Sequence, residues 1–488
     1  MDLNQEQQNA LQAMMSGRNI FLTGNAGTGK TTILREFRKR CGKECVFLAP
    51  TGIAAINVQG TTIHSFLLLK PGLLMPDMIE DIGSRKHESL IRATKTIVID
   101  EVSMVRSDVF AAIDHRLRTL ARGADRRKPF GGKQIILVGD FFQLPPVVKS
   151  VAEDTYINDR LGGAYAFQTE LWRDAKFQCI CLNTIHRQKD DATFIHLLNN
   201  IRRGRLLDED IEIGGERLDA IEALNRCCLH KSFEGVTPVV LCTTNREAVA
   251  INTRMKERLE SEPVLFMASV SGRFREADYP TEATLELKVG LRVMVLCNKH
   301  LPNGDFEYAN GDMGEITDIS GQDARVTVRL DKGKEVVLGM NKWSNYDYVV
   351  ERDRVTGRTA IRQREIGTFH QIPIKLAYAI TIHKSQGITL DNVDLKLGRG
   401  CFAHGQLYTA ISRCRTLAGL RIERPVLEED LILDQEVVDF YEEVMKDTPK
   451  DKVTVEVPQE YEKAVREFLE RLRSEAKGQK SPAQSPAP

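Results

Sequence analysis

Short apolar runs alternate along the first part of the chain with longer segments that have helical spacing. Apolar runs cover residues 46–49, 96–99 and 134–138, and each ends in a polar or glycine-containing motif. The run at 19–23 ends in the same way, and helical spacing follows it from Thr31 to about Arg40. Strands that alternate with helices predict a parallel sheet, with ligands at the carboxyl ends of the strands. We therefore predict an α/β domain at residues 1–175, with a smaller insertion at about 66–90.

The same alternation begins again near Phe177. An apolar run at 238–242 leads into helical spacing from Arg246, and further apolar residues follow at 374–382. Between them, residues 301–369 change to short alternating strands at 314–319, 325–330 and 335–338, with a hairpin turn predicted at 331–334. We predict a second α/β domain from residues 176–300 and 370–428, interrupted by a small β-barrel at 301–369.

Residues 429–488 carry no motif with recognisable chemistry. Residues 458–477 have helical spacing with alternating charges, and the final segment, QKSPAQSPAP, has the composition of a disordered chain. We expect a helical extension followed by a disordered tail.

Composition narrows the function classes only a little. The 488-residue chain is 42 % hydrophobic, which excludes disorder throughout, and its 68 basic residues balance 68 acidic ones. Any nucleic acid must therefore bind in a local basic groove. No apolar run approaches the roughly 18 residues that cross a bilayer, and the N-terminal residues do not resemble a targeting segment. The ten cysteines form no CxxC pair, so we expect reduced thiols in a cytosolic or nuclear protein.

A phosphate-binding loop follows the first strand. Residues 24–31, GNAGTGKT, match GxxxxGK[ST] between a strand and a helix. The glycines let backbone N–H groups surround phosphates, and the helix N-terminus adds partial positive charge. We expect ATP here, with Lys30 at the β- and γ-phosphates and Thr31 on Mg²⁺. The nucleotide-binding residues predicted in this segment are Gly24, Ala26, Gly27, Thr28, Gly29, Lys30, Thr31 and Thr32.

Two later strands end in groups suited to hydrolysis. Asp100 and Glu101 follow the strand at 97–99, and downstream of a phosphate loop we expect Asp100 to coordinate Mg²⁺ and Glu101 to deprotonate the attacking water. The strand at 134–138 leads into GDFFQLPPV, where the amide of Gln143 is placed to sense the γ-phosphate or its water. A solvated strand end and a rigid loop are the structural alternatives.

Taken in order, these motifs resemble those of the petite-integration-frequency (Pif-type) helicases, superfamily 1B DNA helicases that move 5′ to 3′; RecD-type helicases share most of the scheme. The resemblance runs from about residue 3 to about 424 and includes APTGIAAINVQGTTIHSF (49–66), LNTIHRQ (182–188), PIKLAYAITIHKSQGITLD (373–391) and QLYTAISRCRTLAGL (406–420). It implies two tandem RecA-like P-loop NTPase domains with parallel sheets and an inserted SH3-like β-barrel. The two insertions would then form a wedge and a strand clamp.

The resemblance also implies further site residues. Arg187 and Arg413 match two arginines that the second domain offers to the γ-phosphate, Gly387 lies near the same cleft, and Gln7 matches the adenine-reading segment. The implied DNA contacts are Pro50, Thr51, Gly52, Thr62, His64 and Phe66 in the first domain and Thr381, His383, Lys384, Ser385 and Gln386 in the second. Hydroxyl, amide and Lys groups suit phosphate contacts, and His64, Phe66 and His383 would stack on bases.

The activity implied by the resemblance is that of an ATP-dependent 5′-to-3′ DNA helicase and single-stranded DNA translocase. The family acts on duplex, forked, G-quadruplex and R-loop DNA in repair, recombination and telomere maintenance. Expected partners are single-stranded DNA, DNA with 5′ overhangs, and single-strand-binding or replication proteins. We expect a monomer without DNA and no membrane association, in the cytoplasm with the nucleoid in a bacterium or in the nucleus of a eukaryote.

Three alternatives stay open. One is a RecD-type motor subunit of a repair nuclease, and another is a nucleic-acid-binding switch ATPase that does not unwind. The third is an RNA helicase, which contacts to the 2′-hydroxyl would distinguish.

Overall fold

A computed structural model describes most of the chain. The described residues are 3–79, 84–184, 191–204, 211–213, 216–229, 231–233, 235, 237–300, 306–352 and 359–444. Arg187, the helical spacing at 458–477 and the final segment lie outside the described residues, so the predictions made for them stay predictions.

The first domain is built on a six-stranded parallel sheet with strand order β3-β2-β4-β5-β1-β6. Its strands are β1 (Ile20–Gly24), β2 (Cys45–Ala49), β3 (Thr61–Thr62), β4 (Thr96–Ile99), β5 (Gln134–Val138) and β6 (Gln178–Leu182). Its helices are α1 (Gln5–Met14), α2 (Lys30–Arg40), α3 (Gly52–Asn57), α4 (Ile63–Leu67), α5 (Arg85–Ala93), α6 (Ser107–Leu120), α7 (Val151–Leu161) and α8 (Glu170–Ala175). The central strands are continuous apolar runs because helices cover both faces of a parallel sheet. This sheet with its helices confirms the predicted α/β domain.

Strand β6 corrects one part of the predicted organisation. We expected the second domain to begin near Phe177, but β6 pairs in parallel with β1, with Gly24 opposite Leu182. Its apolar run looks like the start of a new cycle, and only this long-range pairing places it in the first sheet. Just beyond β6, the Glu6 carboxylate accepts hydrogen bonds from the backbone N–H groups of Asn183 (2.7 Å) and Thr184 (3.2 Å).

The second domain begins with helices and a short hairpin. In chain order these elements are α9 (Ala192–Arg203), β7 (Ile211–Ile213), β8 (Glu216–Leu218), α10 (Ala220–Cys228), β9 (Val239–Cys242) and α11 (Asn245–Glu257). Strand β9 and helix α11 confirm the strand and helix predicted on either side of residue 244.

Antiparallel strands interrupt the second domain between residues 264 and 376, a segment called here the antiparallel insertion. Its strands are β10 (Val264–Met267), β11 (Ser269–Gly272), β12 (Thr284–Leu287), β13 (Arg292–Val295), β14 (Lys299–His300), β15 (Phe306–Tyr308), β16 (Met313–Ser320), β17 (Arg325–Leu330), β18 (Glu335–Leu338), β19 (Asn341–Arg352), β20 (Thr359–Gln371) and β21 (Ile374–Leu376). The bounds of β16, β17 and β18 confirm the three predicted strands, and residues 331–334 form the turn between β17 and β18.

The insertion is wider than residues 301–369. Its five-stranded sheet has the order β18-β17-β16-β13-β21, so β13 and β21 join it from either side of that segment. A three-stranded sheet, β11-β20-β19, extends from it, and β19 contacts α3, α4 and α5 of the first domain. The SH3-like identity of this insertion stays a prediction.

The second parallel sheet is completed after the insertion. Its remaining elements are β22 (Ala379–Thr381), β23 (Val393–Lys396), α12 (Gln406–Ile411), β24 (Leu420–Ile422) and the C-terminal helix α13 (Gln435–Val444). The strand order is β22-β9-β23-β24, with every pair parallel. Buried apolar residues of both domains and of α13 pack into one continuous core. In the described part of the chain, no helix is long and apolar enough to span a bilayer.

Candidate nucleotide site and nucleic-acid interface

A cleft of about 620 Å³ lies between the carboxyl ends of β1, β4 and β5 and the second domain. It brings together most residues predicted to bind nucleotide or to act in hydrolysis. From the first domain these are Ala26, Gly27, Thr28, Gly29, Lys30, Thr31, Thr32, Asp100, Glu101 and Gln143, and from the second domain Gly387 and Arg413. Gly24 ends β1 at the base of the loop.

Lys30 is held along the phosphate loop. Its Nζ donates to the backbone carbonyls of Gly24 (2.7 Å) and Asn25 (3.1 Å). Burial lowers the pKa of Lys30, and the nearby Asp140 and Glu101 carboxylates oppose that shift. The ammonium group therefore sits among carbonyl oxygens and carboxylates, where a phosphate would provide a closer negative partner.

Asp100 and Glu101 form a buried carboxylate pair at the end of β4. Burial raises the pKa of Asp100 to about 7, and the neighbouring Glu101 adds to the shift. Burial also raises the pKa of Glu101, against the influence of Arg413 and Lys30. Two carboxylates and the Thr31 hydroxyl are hard oxygen donors, the ligand type that Mg²⁺ prefers. The residues present therefore fit a magnesium ion.

The backbone at Glu101 is unusual for a non-glycine residue. Its φ of 52° and ψ of 48° lie in the left-handed region, which costs about 1–3 kcal/mol and recurs at functional sites. This turn directs the chain away from β4 immediately after Asp100, and both carboxylates line the cleft.

Arg413 approaches from the second domain and is 2 % exposed. Its Nε donates to the Thr409 carbonyl (3.0 Å) and its Nη2 to the Ser412 hydroxyl (2.9 Å). Burial lowers the pKa of Arg413, while Glu101 across the cleft opposes the shift. The predicted arginine is thus in the cleft, held by its own helix.

Four further cleft residues were missed by motif matching. Gly139, Asp140, Thr389 and Arg415 line the same space, and Arg415 pairs with Asp391 at 3.0 Å. In the sequence SRCR, Arg415 follows Arg413 by two residues. This spacing was the signal that could have pointed to Arg415 as a cleft residue.

Gln7 lies beside the phosphate loop but does not itself line the cleft. Its Oε1 accepts from the backbone N–H of Asn4 (3.2 Å), as part of the cap of α1, and its Nε2 approaches the Thr28 carbonyl (3.4 Å). Adenine recognition by Gln7 stays a prediction.

The first predicted DNA segment follows β2. Thr51 and Thr62 begin helices α3 and α4, where their hydroxyls accept hydrogen bonds from the backbone N–H groups of Ala54 (3.3 Å) and Ser65 (3.2 Å). Pro50 and Gly52 flank the first of these caps. His64 is half-buried, and burial lowers its pKa. Thr51 is exposed, which leaves it open to a ligand.

Phe66 corrects the sequence-based prediction. Its side chain is fully buried, packed in the first-domain core and 6.3 Å from the ring of His87. Phe66 follows Ile63 by one helical turn, so both side chains of α4 face the core. A ring with no exposed surface cannot stack on a base, and the prediction that Phe66 does so is wrong for this structure.

The second predicted DNA segment follows β22. Lys384 and the half-buried His383 form a short turn, and burial lowers the pKa of His383. Thr381 accepts from the Lys384 N–H (3.3 Å), and the buried Ser385 hydroxyl donates to the Ile382 carbonyl (2.7 Å). These two hydroxyls shape the turn, while Lys384 is exposed. The buried Nε2 of Gln386 finds no hydrogen-bond partner within the described residues.

An acidic side chain of the insertion lies against the first DNA segment. A Cβ atom added to Gly52 would overlap the carboxylate of Asp278, so this close approach requires glycine. Arg275 holds the carboxylate from the other side, through Nε at 2.7 Å and Nη2 at 3.2 Å. No pattern in the sequence pointed to Asp278, which is 226 residues from Gly52 (278 minus 52).

Comparison with known proteins places the chain among helicases. A family model described as PIF1-like helicase matches residues 2–212. The ATP-dependent DNA helicase PIF1 of Danio rerio is 32 % identical over 464 residues, which cover 91 % of this chain and 64 % of that protein. The Pif1 helicase of Bdellovibrio bacteriovorus is 30 % identical over 456 residues, 91 % of this chain and 92 % of that protein. The chain thus spans less than two thirds of the length of its vertebrate relatives.

Solved structures agree with these relatives and confirm the two RecA-like domains. Bacteroides sp Pif1 in complex with ADP-AlF4 superposes with a TM-score of 0.80 at 33 % identity, covering 92 % of this chain and 98 % of that one. Bacteroides Pif1 bound to ssDNA gives a TM-score of 0.63 at 34 % identity, covering 91 % and 97 %.

Proposed function

Because the chain belongs to the PIF1-like helicase family, we propose that it is an ATP-dependent DNA helicase that moves 5′ to 3′ along single-stranded DNA. The observation that carries the proposal is the cleft itself. It sets the phosphate loop and a carboxylate pair of one domain opposite Arg413 of the other.

Hydrolysis follows from the groups that line this cleft. Lys30 and the backbone N–H groups of the phosphate loop hold the phosphates, and Thr31 and Asp100 hold Mg²⁺. The ion would supply neutralising charge on the phosphate oxygens. Glu101 takes the proton of the attacking water, and Gln143 orients that water or the γ-phosphate. Arg413 leaves its bonds to Thr409 and Ser412 and stabilises the charge that develops in the transition state.

Movement along DNA follows from the division of the site between two domains. A bound γ-phosphate attracts residues of both domains, so it favours a closed cleft, and hydrolysis removes that preference. The two predicted DNA segments follow β2 in one domain and β22 in the other. Opening and closing of the cleft would therefore change the distance between two grips on the same strand.

The proposal extends to the domain boundaries, the insertions, the substrates and the partners. The first domain covers residues 1–175 together with β6, and the second covers the rest of residues 176–300 and 370–428. The insertions at 66–90 and 264–376 act as wedge and strand clamp. The substrates are tailed and forked duplexes, with G-quadruplex and R-loop DNA as further targets in genome maintenance. The protein is a monomer before it binds DNA, acts with single-strand-binding or replication proteins, and works where the DNA is, beside the nucleoid or in a nucleus.

The test is the ATPase rate with and without a short single-stranded DNA, with the Lys30→Ala protein as blank. We expect strong stimulation by DNA, and a duplex with a 5′ tail should then be unwound in preference to one with a 3′ tail. A rate that DNA does not change would reject the helicase and leave a switch ATPase. Greater stimulation by RNA than by DNA would favour the RNA helicase, and preference for a 3′ tail would reject the polarity.

A further inference from the structure

We infer that Tyr441, in the C-terminal helix α13, is a positioning residue for the turn that carries Gln143, and that α13 is therefore a working part of the motor. This inference rests on the proposed ATP hydrolysis. It assigns a role to a segment in which the sequence shows no chemical motif, 298 residues away from Gln143 (441 minus 143).

The Tyr441 hydroxyl lies behind the nucleotide cleft, and its hydrogen bonds all go to residues of the first domain. It is 2.6 Å from the Thr23 hydroxyl in β1, accepts from the backbone N–H of Phe141 (3.1 Å) and donates to Asp140 Oδ1 (3.3 Å). One donor and two acceptor positions are all that a phenol has, so these three contacts use each of them. The side chain is 2 % exposed.

The Tyr441 ring is held as firmly as its hydroxyl. It stacks on the ring of Phe142, with centroids 4.6 Å apart and planes 27° apart. The preceding residue, Phe440, stacks on Phe167 at 4.3 Å. Two neighbouring residues of α13 thus pack on aromatic rings of the first domain.

Asp140 is the centre of this arrangement. Its carboxylate pairs with Arg202 of α9, through Nη2 at 2.9 Å and Nε at 3.3 Å, and also accepts from the Phe142 N–H (3.2 Å). The Arg202 side chain is 1 % exposed, and its guanidinium lies over the rings of Phe142 (4.3 Å) and Tyr441 (5.0 Å). Burial acts to raise the pKa of Asp140, but Arg202 and Lys30 outweigh it and hold the pKa below its usual value. A buried charge pair tolerates little displacement, because a lost partner leaves an uncompensated charge.

This network reaches the nucleotide cleft at two points. The turn that starts at Asp140 places Gln143 in the cleft, with the Gln143 N–H bonded to the Asp140 carbonyl at 3.0 Å. On the other side, the Tyr408 hydroxyl approaches Asp140 Oδ2 (3.4 Å) and accepts from the Ala26 N–H of the phosphate loop (3.0 Å). Tyr441 therefore acts through Asp140 and the backbone of Phe141, without touching a nucleotide itself.

Loss of the Tyr441 hydroxyl should leave the backbone N–H of Phe141 without a partner in a dry core and remove one of the three hydrogen bonds to Asp140 Oδ1. We expect the turn from Asp140 to Gln143 to shift, because an unsatisfied buried group costs about 1–3 kcal/mol. The phosphate loop keeps its own contacts. We therefore expect slower hydrolysis with ATP binding preserved.

The test is Tyr441→Phe in the full chain, which removes the hydroxyl and keeps the ring. We expect kcat of the DNA-stimulated ATPase to fall at least tenfold, with KM for ATP within twofold of the wild type. Rates are expressed per nucleotide-binding site, titrated with a fluorescent non-hydrolysable ATP analogue, so that misfolded molecules do not count. Glu443→Gln, on the exposed side of α13, is the matched control and should change neither constant.

A second arm separates positioning from general destabilisation. If Tyr441 acts through Asp140, the loss in the double variant Tyr441→Phe with Asp140→Asn should be smaller than the product of the two single losses. A kcat for Tyr441→Phe within twofold of the wild type would overturn the inference, and so would single losses that multiply. An inactive wild-type protein would instead count against the proposed ATP hydrolysis.

Discussion

The hydroxyl of Tyr408, in the second domain, accepts a 3.0 Å hydrogen bond from the backbone N–H of Ala26, in the phosphate loop of the first. The two domains therefore touch at the nucleotide loop itself. Tyr408 is 2 % exposed and lies five residues before Arg413 in the same motif. A change in the phosphate loop on nucleotide binding therefore acts directly on Tyr408 and on the segment that carries Arg413.

Replacement of Lys30 by Ala should abolish ATP hydrolysis. The change removes the only ammonium group that lines the described cleft and leaves the β- and γ-phosphates without their charged partner. Steady-state ATPase assays with saturating DNA provide the measurement. Arg35→Ala removes a positive charge from an exposed position on the same helix and should leave the rate near that of the wild type. Near-normal turnover by Lys30→Ala would mean that the site is elsewhere.

Replacement of Glu101 by Gln should separate binding from turnover. The amide has the same shape as the carboxylate but cannot take a proton from water, so ATP should bind within a few-fold of its wild-type affinity. Turnover should fall by about 10²–10⁴, the usual contribution of a general base. Equilibrium binding of a fluorescent ATP analogue and single-turnover hydrolysis give the two quantities. Loss of binding together with turnover would indicate that Glu101 is needed for the left-handed turn rather than for chemistry.

Replacement of Arg413 by Ala should slow hydrolysis by about 10³–10⁵, the range found for arginine fingers. Arg415→Ala is the matched control, because Arg415 lines the same cleft but is exposed and paired with Asp391. We expect that variant to lose less than tenfold. Both rates are measured at saturating ATP and DNA. If the two variants lose activity equally, Arg413 has no special role at the γ-phosphate.

Replacement of Asp278 by Asn should strengthen the binding of single-stranded DNA. Its carboxylate lies on Gly52, within the segment predicted to contact phosphates, and a phosphate bound there would be repelled by this charge, which the pair with Arg275 only partly offsets. Fluorescence anisotropy at low salt should show an affinity several-fold higher, and the gain should shrink as salt screens the repulsion. Glu276→Gln removes an exposed charge from the same turn and should have a smaller effect. Unchanged or weaker binding by Asp278→Asn would refute this electrostatic role.

Replacement of Phe66 by Ala should act on stability rather than on DNA. The ring is fully buried, and such truncations lower the free energy of unfolding by about 3–5 kcal/mol. Chemical denaturation measures this loss, and Phe66→Leu should recover most of it while binding DNA as the wild type does. A Phe66→Ala protein of normal stability that fails to bind DNA would restore the stacking prediction.

The sequence predicted best what depends on neighbouring residues. The bounds of β4, β5, β17 and β18 follow from local apolar patterns, and the phosphate loop follows from eight consecutive residues. Each of these depends on backbone preferences and side-chain alternation within a short window. The same is true of the carboxylate pair after β4, which the cleft brings to Lys30 as expected.

The contacts that were missed are those between distant parts of the chain. β6 has the composition of any buried strand, and only its pairing with β1 shows which sheet it joins. The burial of Phe66, the contact of Asp278 with Gly52, and the bond from Phe141 to Tyr441 across 300 residues depend on tertiary packing. A single Tyr or Asp in a sequence carries no mark of such a partner.

The pairing of β6 with β1 also sets the route by which force leaves the nucleotide site. Strand β1, which leads into the phosphate loop, and β6, which leads out of the domain, share a ladder of hydrogen bonds and therefore move together. The Glu6 carboxylate holds the first two residues beyond β6, Asn183 and Thr184. A displacement of the phosphate loop would therefore pass through β1 and β6 to Asn183 and Thr184, the described residues that come last before the second domain.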